Sequence, residues 1–367
     1  MLQRHLGPAV IASEATRSPW RRRGLLRPLL GLAMTPGMVC GLLGLAMSRA
    51  TAQKRDVAAL ERAVRSIIAE YTGDVGVAIR HVESGRGIEI NGHKRYPLAS
   101  VYKLPMLVEL YRQAEQGTLS LDQRIPITRE NYHPWGPVLS RFDVGLAPTL
   151  RDLAYWMVVE TDNLATDLIL ERVGPANVRA TLRRMGLDEI SVDRPTKVLI
   201  FDYYGFGSDA NYRLTGDTLN ALSRVFGRIH AQRDSVARSR GPISEAVKRY
   251  SADPRDTGSP LHVNQLLVKL VKGEVVSPGA SRRMIDIMLN TQTGPGKIRG
   301  MLPAGTPVAH KTGDWPTSNN DAGIIFLPGN RGHLAVTVLD VDMRDPMDAT
   351  TRMIARIARA GYDAFVQ

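Results

Sequence analysis

Pro97-Leu98-Ala99-Ser100-Val101-Tyr102-Lys103-Leu104-Pro105-Met106 sets a serine and a lysine three residues apart among apolar neighbours. In a helical segment that spacing puts both side chains on one face, so the amine can reach the hydroxyl. A serine alone is a weak nucleophile. A lysine set among apolar residues is half buried, and burial with neighbouring cations lowers its pKa until it can take the serine proton. With Ser100 opening the helix after Pro97, its own N–H points outward as one donor for an oxyanion. Taken alone the pattern is weak, because Ser-x-x-Lys recurs by chance at average residue usage and a surface serine near a helical lysine is the plain alternative.

Two more short motifs follow in order. Thr161-Asp162-Asn163 lies 61 residues after Ser100, and Lys311-Thr312-Gly313 follows after another 150. A hydroxyl on Thr161 can relay a proton to a leaving nitrogen, and the Asn163 amide can hold both the lysine and a substrate carbonyl through its donor and acceptor pair. Helix capping by Thr, Asp and Asn is the competing reading. Lys311 offers a cation for a carboxylate, Thr312 a hydroxyl beside it, and Gly313 close approach of a substrate to the backbone. The N–H of Asp314 completes the oxyanion hole on this reading, and a strand-end turn is the alternative. Nucleophile, proton relay and cationic anchor together predict a hydrolase that acylates Ser100.

The surrounding pattern is α/β. Val75 to Arg80 alternates like a strand, Gly87 to Ile90 follows the Ser84-Gly85 turn, and Ala322 to Leu327 and Leu334 to Val341 flank a turn with Gly329 and Gly332, as antiparallel hairpins of one sheet do. A closing helix is predicted with Asp345 as N-cap, Pro346 in first position, Met353, Ile354, Ile357 and Ala358 facing the sheet, and Gly361 as the stop. In the middle, Thr149 caps a helix with Leu150, Leu153, Ala154, Met157 and Val158 at 3.6-residue spacing. Leu164, Ala165, Leu168 and Ile169 repeat that pattern before Gly174, which places Thr161-Asp162-Asn163 in a junction between helices. No internal repeat is found. The polar, basic residues 228–260 read as a surface excursion.

The 367 residues are 43% hydrophobic and 23% charged, ordinary for a globular protein. Residues 1–52 differ. Arg21, Arg22, Arg23 and Arg27 precede an apolar, Gly-rich run from Pro28 to Met47, and Ala50-Thr51-Ala52 has the small-x-small pattern of an export cleavage site. The run is also long enough for an uncleaved membrane anchor, the arginine triplet loosely matches a twin-arginine signal, and Cys40 offers a poorly matched lipoprotein site. Each reading implies export to the periplasm or beyond, with membrane attachment only through an uncleaved leader. Cys40 is the sole cysteine, so no disulfide is expected. Seven arginines and one glutamate in this leader carry half of the formal net charge of +12. The remainder forms no long basic run, which disfavours nucleic-acid binding. The eight histidines show no ligand spacing and His310 reads as structural, so neither a metal nor another cofactor is expected.

All three motifs in this order, within an exported α/β chain, resemble the class A serine β-lactamase family and its penicillin-binding relatives over about residues 56–367. Trp135-Gly136-Pro137-Val138 is similar to the family's aromatic gatekeeper segment, Asp162 to Leu170 to the helix after its second motif, and Asp256-Thr257-Gly258-Ser259-Pro260 to another family turn. The resemblance implies an antiparallel sheet flanked by helices, built from about 56–97 and 280–367, with an all-helical lobe over about 98–279 and the cleft between them. It implies a monomer acting on a β-lactam or a cell-wall peptide. Two departures stand out. Thr161 replaces the usual serine, which keeps the hydroxyl but stiffens its rotamer. The family's deacylating glutamate, in an Ω-type loop with the pattern Glu-x-x-Leu-Asn, falls on Thr196, and the asparagine falls on Ile200. Acylation can still use Lys103, whereas water attack on the acyl-enzyme lacks its usual base. Asp193, Asp202 and Glu189 are substitutes near in sequence, and Arg344 is a further carboxylate anchor or a plain turn residue. Three activities follow: a β-lactamase with slow release, a D,D-peptidase or esterase with the same machinery, and a sensor that stays acylated.

Overall fold

A computed structural model describes residues 57–214, 218 and 244–366. The leader features of residues 1–52, with Cys40, and the segment 228–243 lie outside these. Five strands, β1 (Asp74–His81), β2 (Gly87–Ile90), β5 (Val308–Trp315), β6 (Ser318–Phe326) and β7 (His333–Val341), form one antiparallel sheet in the order β2-β1-β7-β6-β5. Strands from early and late in the described residues meet where Ala78 of β1 pairs with Thr337 of β7. Tyr96–Pro97 (β3) and Thr257–Gly258 (β4) make a second, two-stranded pair.

The period-2 pattern of these strands sorts their side chains onto two cores. On one face Leu334, Val336 and Val338 of β7 pack with Leu60 and Val64 of the helix over 57–68 (α1) and with Met353, Ile354 and Ile357 of the closing helix Met347–Val366. On the other, Ala335, Leu339 and Val341 join the larger core of the middle helices. Those are α2 (Lys103–Glu115), α3 (Leu150–Val159), α4 (Asn163–Val173), α5 (Pro175–Arg184), α6 (Thr196–Tyr204), α7 (Asp209–Tyr212), α8 (Glu245–Ala252), α9 (Pro260–Lys272) and α10 (Pro278–Leu289), which makes the closing helix α11. Among the described residues no helix is long and apolar enough to cross a membrane.

Thr149 caps α3 as its sequence predicts, in a reciprocal box with Asp152. Four expectations need correction. Helix α9, inside the 98–279 stretch read as the helical lobe, lies on the sheet: Asn264 Nδ2 donates to Ala78 O at 3.0 Å, and Gly76 leaves room for Pro260. Gly361 does not stop α11, which runs on to Val366, because this glycine is a contact against Leu334 and Ile79. Asp345 accepts from Thr72 N at 2.7 Å, and the Pro346 carbonyl takes the first helical N–H groups. Residues 244–260 are ordered structure rather than a surface excursion, with α8, β4 and a buried Asp256 that binds the Arg194 guanidinium at 2.6 Å.

Candidate active site

Ser100 sits in a 3₁₀ turn, Ala99–Tyr102, that leads directly into α2. Ala99 before it has φ 46°, a conformation costly for a residue with a Cβ, and the turn is tied down by Leu98 N donating to Asp256 O at 3.1 Å. Residues i and i+3 eclipse in such a turn, so Ser100 and Lys103 project to one side.

Lys103 is fully buried. Its amine donates to Thr161 O at 2.9 Å, Thr161 Oγ1 at 3.1 Å and Asn163 Oδ1 at 2.8 Å. Those three acceptors use its three donor directions. The expected Lys103 contact with Ser100 Oγ is therefore not formed among the described residues. Thr161 itself has φ 54°, held by the junction between α3 and α4. Asp162 caps α4 through Ala165 N and also accepts from Val138 N and Leu139 N, all at 2.9 Å. Gly136 leaves space for that carboxylate, since a Cβ there would stand 2.6 Å from it. The tripeptide is thus divided: Asp162 holds the turn, while Thr161 and Asn163 face the lysine.

Lys311, on β5, is also fully buried and donates to the same Thr161 Oγ1 at 3.0 Å and to Thr312 O at 2.9 Å. One hydroxyl thereby bridges two amines. Burial pushes the Lys311 amine down to about 7, with Lys297 adding to the shift and Asp314 opposing it. Burial, followed by the Lys311 charge, pushes Lys103 well below the usual lysine range. The Thr312 hydroxyl pairs with Thr293 Oγ1 at 2.7 Å. Gly313 allows a close approach within the fold: a Cβ there would meet Leu98 O at 2.6 Å and Ser100 N at 2.9 Å, so the missing side chain admits the Ser100 turn to the edge of β5.

A cleft of about 730 Å³ is walled by Ser100, Asn163, Trp135, Thr196, Asp314 and Trp315, among others. Lys103, Thr161, Lys311, Thr312 and Gly313 are not among the residues of that wall. Trp135 meets Phe201 of α6 edge-on, with ring centroids 5.5 Å apart, and its carbonyl accepts from Asn163 Nδ2 at 3.1 Å. Trp315 stacks on Tyr203 of the same helix, with ring centroids 4.3 Å apart.

The stretch likened to an Ω-type loop holds the nine-residue helix α6. Pro195 precedes it, Gly205 closes it with φ 78°, and Asp167 accepts from Thr196 N at 2.6 Å and Lys197 N at 3.0 Å. Thr196, Leu199 and Ile200 line the cleft from this helix. None of the three carboxylates named as substitutes does so, because each is taken up elsewhere: Asp193 by Arg179 at 2.7 Å, Asp202 by Arg194 at 2.7 Å, Glu189 by His93 at 2.9 Å. Arg344 is exposed, and its backbone N donates to Thr72.

Three contributors went unnoticed in the sequence: Asp167, Lys297 and the Tyr203–Trp315 stack. Only Asp167 had a signal, four residues after Asn163 on the same helix face. Among the described residues His93, Glu189 and His262 have ligand atoms close enough to share a metal. However, His262 Nδ1 accepts from Glu189 N at 3.1 Å, which leaves the ring hydrogen on Nε2 and removes the lone pair a metal needs. His310 is buried against Asp321 at 2.9 Å.

Comparison with known proteins identifies the family and the fold. The Beta-lactamase enzyme family matches residues 59–365. A β-lactamase of Bacteroides uniformis is 28% identical over 83% of this chain and 90% of its own. The crystal structure of a β-lactamase from Chitinophaga pinensis is 29% identical with a TM-score of 0.65, covering 83% of this chain and 98% of that one. An ancestral class A β-lactamase (GNCA) is 25% identical, also at 0.65, over 83% and 99%. The antiparallel sheet with its flanking helices is the fold of these structures, and the chain belongs to the β-lactamase enzyme family, in its class A serine branch.

Proposed function

We propose that the protein opens β-lactam amides through an ester on Ser100 and releases the product slowly. The observation that carries this is the Thr161 hydroxyl placed 3.1 Å from the Lys103 amine and 3.0 Å from the Lys311 amine, beside the cleft that holds Ser100. Ser100 Oγ attacks the ring carbonyl while its proton passes to Lys103, whose pKa burial lowers. The C–N bond then breaks, and the nitrogen receives a proton through Thr161. Ser100 N–H and Asp314 N–H receive the oxyanion, the second Asn163 N–H holds the substrate's side-chain carbonyl, Trp135 closes the mouth, and Lys311 sets a positive charge near the substrate carboxylate. Resting hydrogen bonds tighten in a complex, so the Ser100–Lys103 contact forms as substrate enters.

Slow release rests on the wall itself, where Thr196 and Ile200 stand in place of an acid and an amide. The same feature favours the two other outcomes: preferential cleavage of cell-wall peptides or esters, and a lasting adduct. Export with removal of residues 1–52, and a monomeric two-lobed domain after them, complete the proposal, supported by the Ala50-Thr51-Ala52 signal. Time-resolved intact-mass spectrometry with benzylpenicillin tests it. An adduct mapping to Ser100 that decays to free protein and hydrolysed product is the expected result; no adduct and no product refutes it. An adduct that never decays selects the sensor, and release of D-alanine from a peptide ending in D-alanyl-D-alanine, run in parallel and faster than penicillin turnover, selects the peptidase.

The pH profile gives an independent check. Lys103 must be neutral to act as a base, and its burial shifts its pKa in that direction. Lys311 must be protonated to attract a carboxylate, and with its pKa near 7 the empty site loses that charge above neutrality. The acylation kcat/KM for an anionic β-lactam is expected to fall as pH rises through about 7. Lys311→Arg, which stays charged, should remove the fall; an unchanged profile in that variant would show that another group titrates.

A further inference from the structure

The proposed acyl-enzyme needs a water whose proton has somewhere to go, and the described residues offer one arrangement at the cleft wall that fits. Thr196 lines the cleft with its side chain otherwise buried. Its hydroxyl has two acceptors in reach, Asp167 Oδ1 at 2.6 Å and Asn163 O at 3.1 Å. The shorter, charge-assisted bond wins the single proton, so the oxygen's lone pairs are left to accept from a water in the cleft. Behind it the Asp167 side chain is 15% exposed, with His133 Nε2 3.3 Å from its other oxygen. The other carboxylates that line the cleft are placed differently: Asp314 is paired with Lys297, Asp348 with Arg352, and Asp345 accepts from Thr72 N.

We infer that Thr196 and Asp167 together form the proton path for deacylation, with the Thr196 hydroxyl contacting the attacking water and Asp167 acting through it as the positioning residue and final acceptor. This rests on the acyl-Ser100 reading. Water oxygen bonds to the ester carbonyl as one of its protons passes to Thr196 Oγ1 and the Thr196 proton passes to Asp167. Collapse breaks the bond between that carbon and Ser100 Oγ. The proton on Asp167 returns through Thr196 to the Ser100 oxygen, leaving a free carboxylic acid and an ionised Asp167. Burial opposes the Asp167 charge, but the His133 ring, the Thr196 hydroxyl and the Lys197 N–H outweigh it and hold the carboxyl below its ordinary value. So weak a base makes the path slow, in keeping with the proposed kinetics.

Time-resolved mass spectrometry with benzylpenicillin on the full protein separates formation of the Ser100 adduct from its decay. Thr196→Val, which keeps the shape and removes the hydroxyl, is expected to slow decay by about tenfold or more while formation changes by less than about twofold. Thr196→Ser, introduced in its place, should recover most of that loss. A decay rate unchanged in Thr196→Val overturns the inference and leaves the acyl-enzyme intact. Failure of the unaltered protein to form an adduct overturns the reading beneath it and the inference with it. Decay in heavy water needs no variant: a rate lowered by about twofold supports in-flight proton transfer, and an unchanged rate refutes the relay.

Discussion

Lys103→Met is expected to slow acylation of Ser100 by about 10²–10⁴-fold, the usual loss when a positioned proton acceptor is removed. Methionine matches the length and apolar stem of lysine, so the first turn of α2 keeps its packing while only the amine is lost. Two effects on stability oppose each other. Thr161 O and Asn163 Oδ1 lose their donor, at about 1–3 kcal/mol for each buried group left unsatisfied, whereas the fold no longer has to bury an ionisable amine. A melting curve close to the parent's shows that the kinetic loss is chemical. Stopped-flow acylation with a chromogenic cephalosporin reads the effect directly. A loss below about fivefold would mean that the Ser100 proton leaves by another route, with Thr161 the first alternative to examine.

The elements around this site were legible because their causes are local. Alternation in Val75–Arg80 and Leu334–Val341 specifies strands, and Thr149 with Asp152 specifies a helix start, whatever the rest of the chain does. The order of the three motifs indicated which chemistry-bearing residues belong together. What the sequence could not convey is competition among acceptors. Helical spacing brings Lys103 to the Ser100 side of the turn, yet its amine is claimed by partners 58 and 60 residues away. Lys297, whose charge helps to lower the Lys311 pKa, occupies a turn with no motif to mark it. Gly361 was misread for a related reason: as a helix signal it means a stop, and only the sheet beneath shows that close packing is its use. Asp167 lies between these cases, with a legible face and an illegible partner, since the conformation of α6 brings Thr196 to it from 29 residues away.

Gly313→Ala is expected to cut acylation by about 10²-fold through a single methyl group that touches no substrate. Gly313 has no unusual backbone angle, so the constraint is purely one of space. The new Cβ would lie 2.6 Å from Leu98 O and 2.9 Å from both Ser100 N and Val101 N, all backbone atoms that cannot rotate away as a side chain can. Either β5 withdraws from the turn or the turn withdraws from β5. Both movements separate Ser100 N–H from Asp314 N–H, which lie on the two sides of that contact, and displacement of about 1 Å in a reacting group costs roughly 10²-fold. Ala99 already holds a strained φ of 46° there, so the turn has little freedom to yield without losing the nucleophile's orientation. The β5–β6 pairing of Gly313 with Asn320 lies on the far side of the strand and should survive, which predicts a folded protein with a modestly lowered melting temperature. Acylation within about threefold of the parent, in a protein of unchanged melting temperature, would show that the two backbone donors do not act as one oxyanion site.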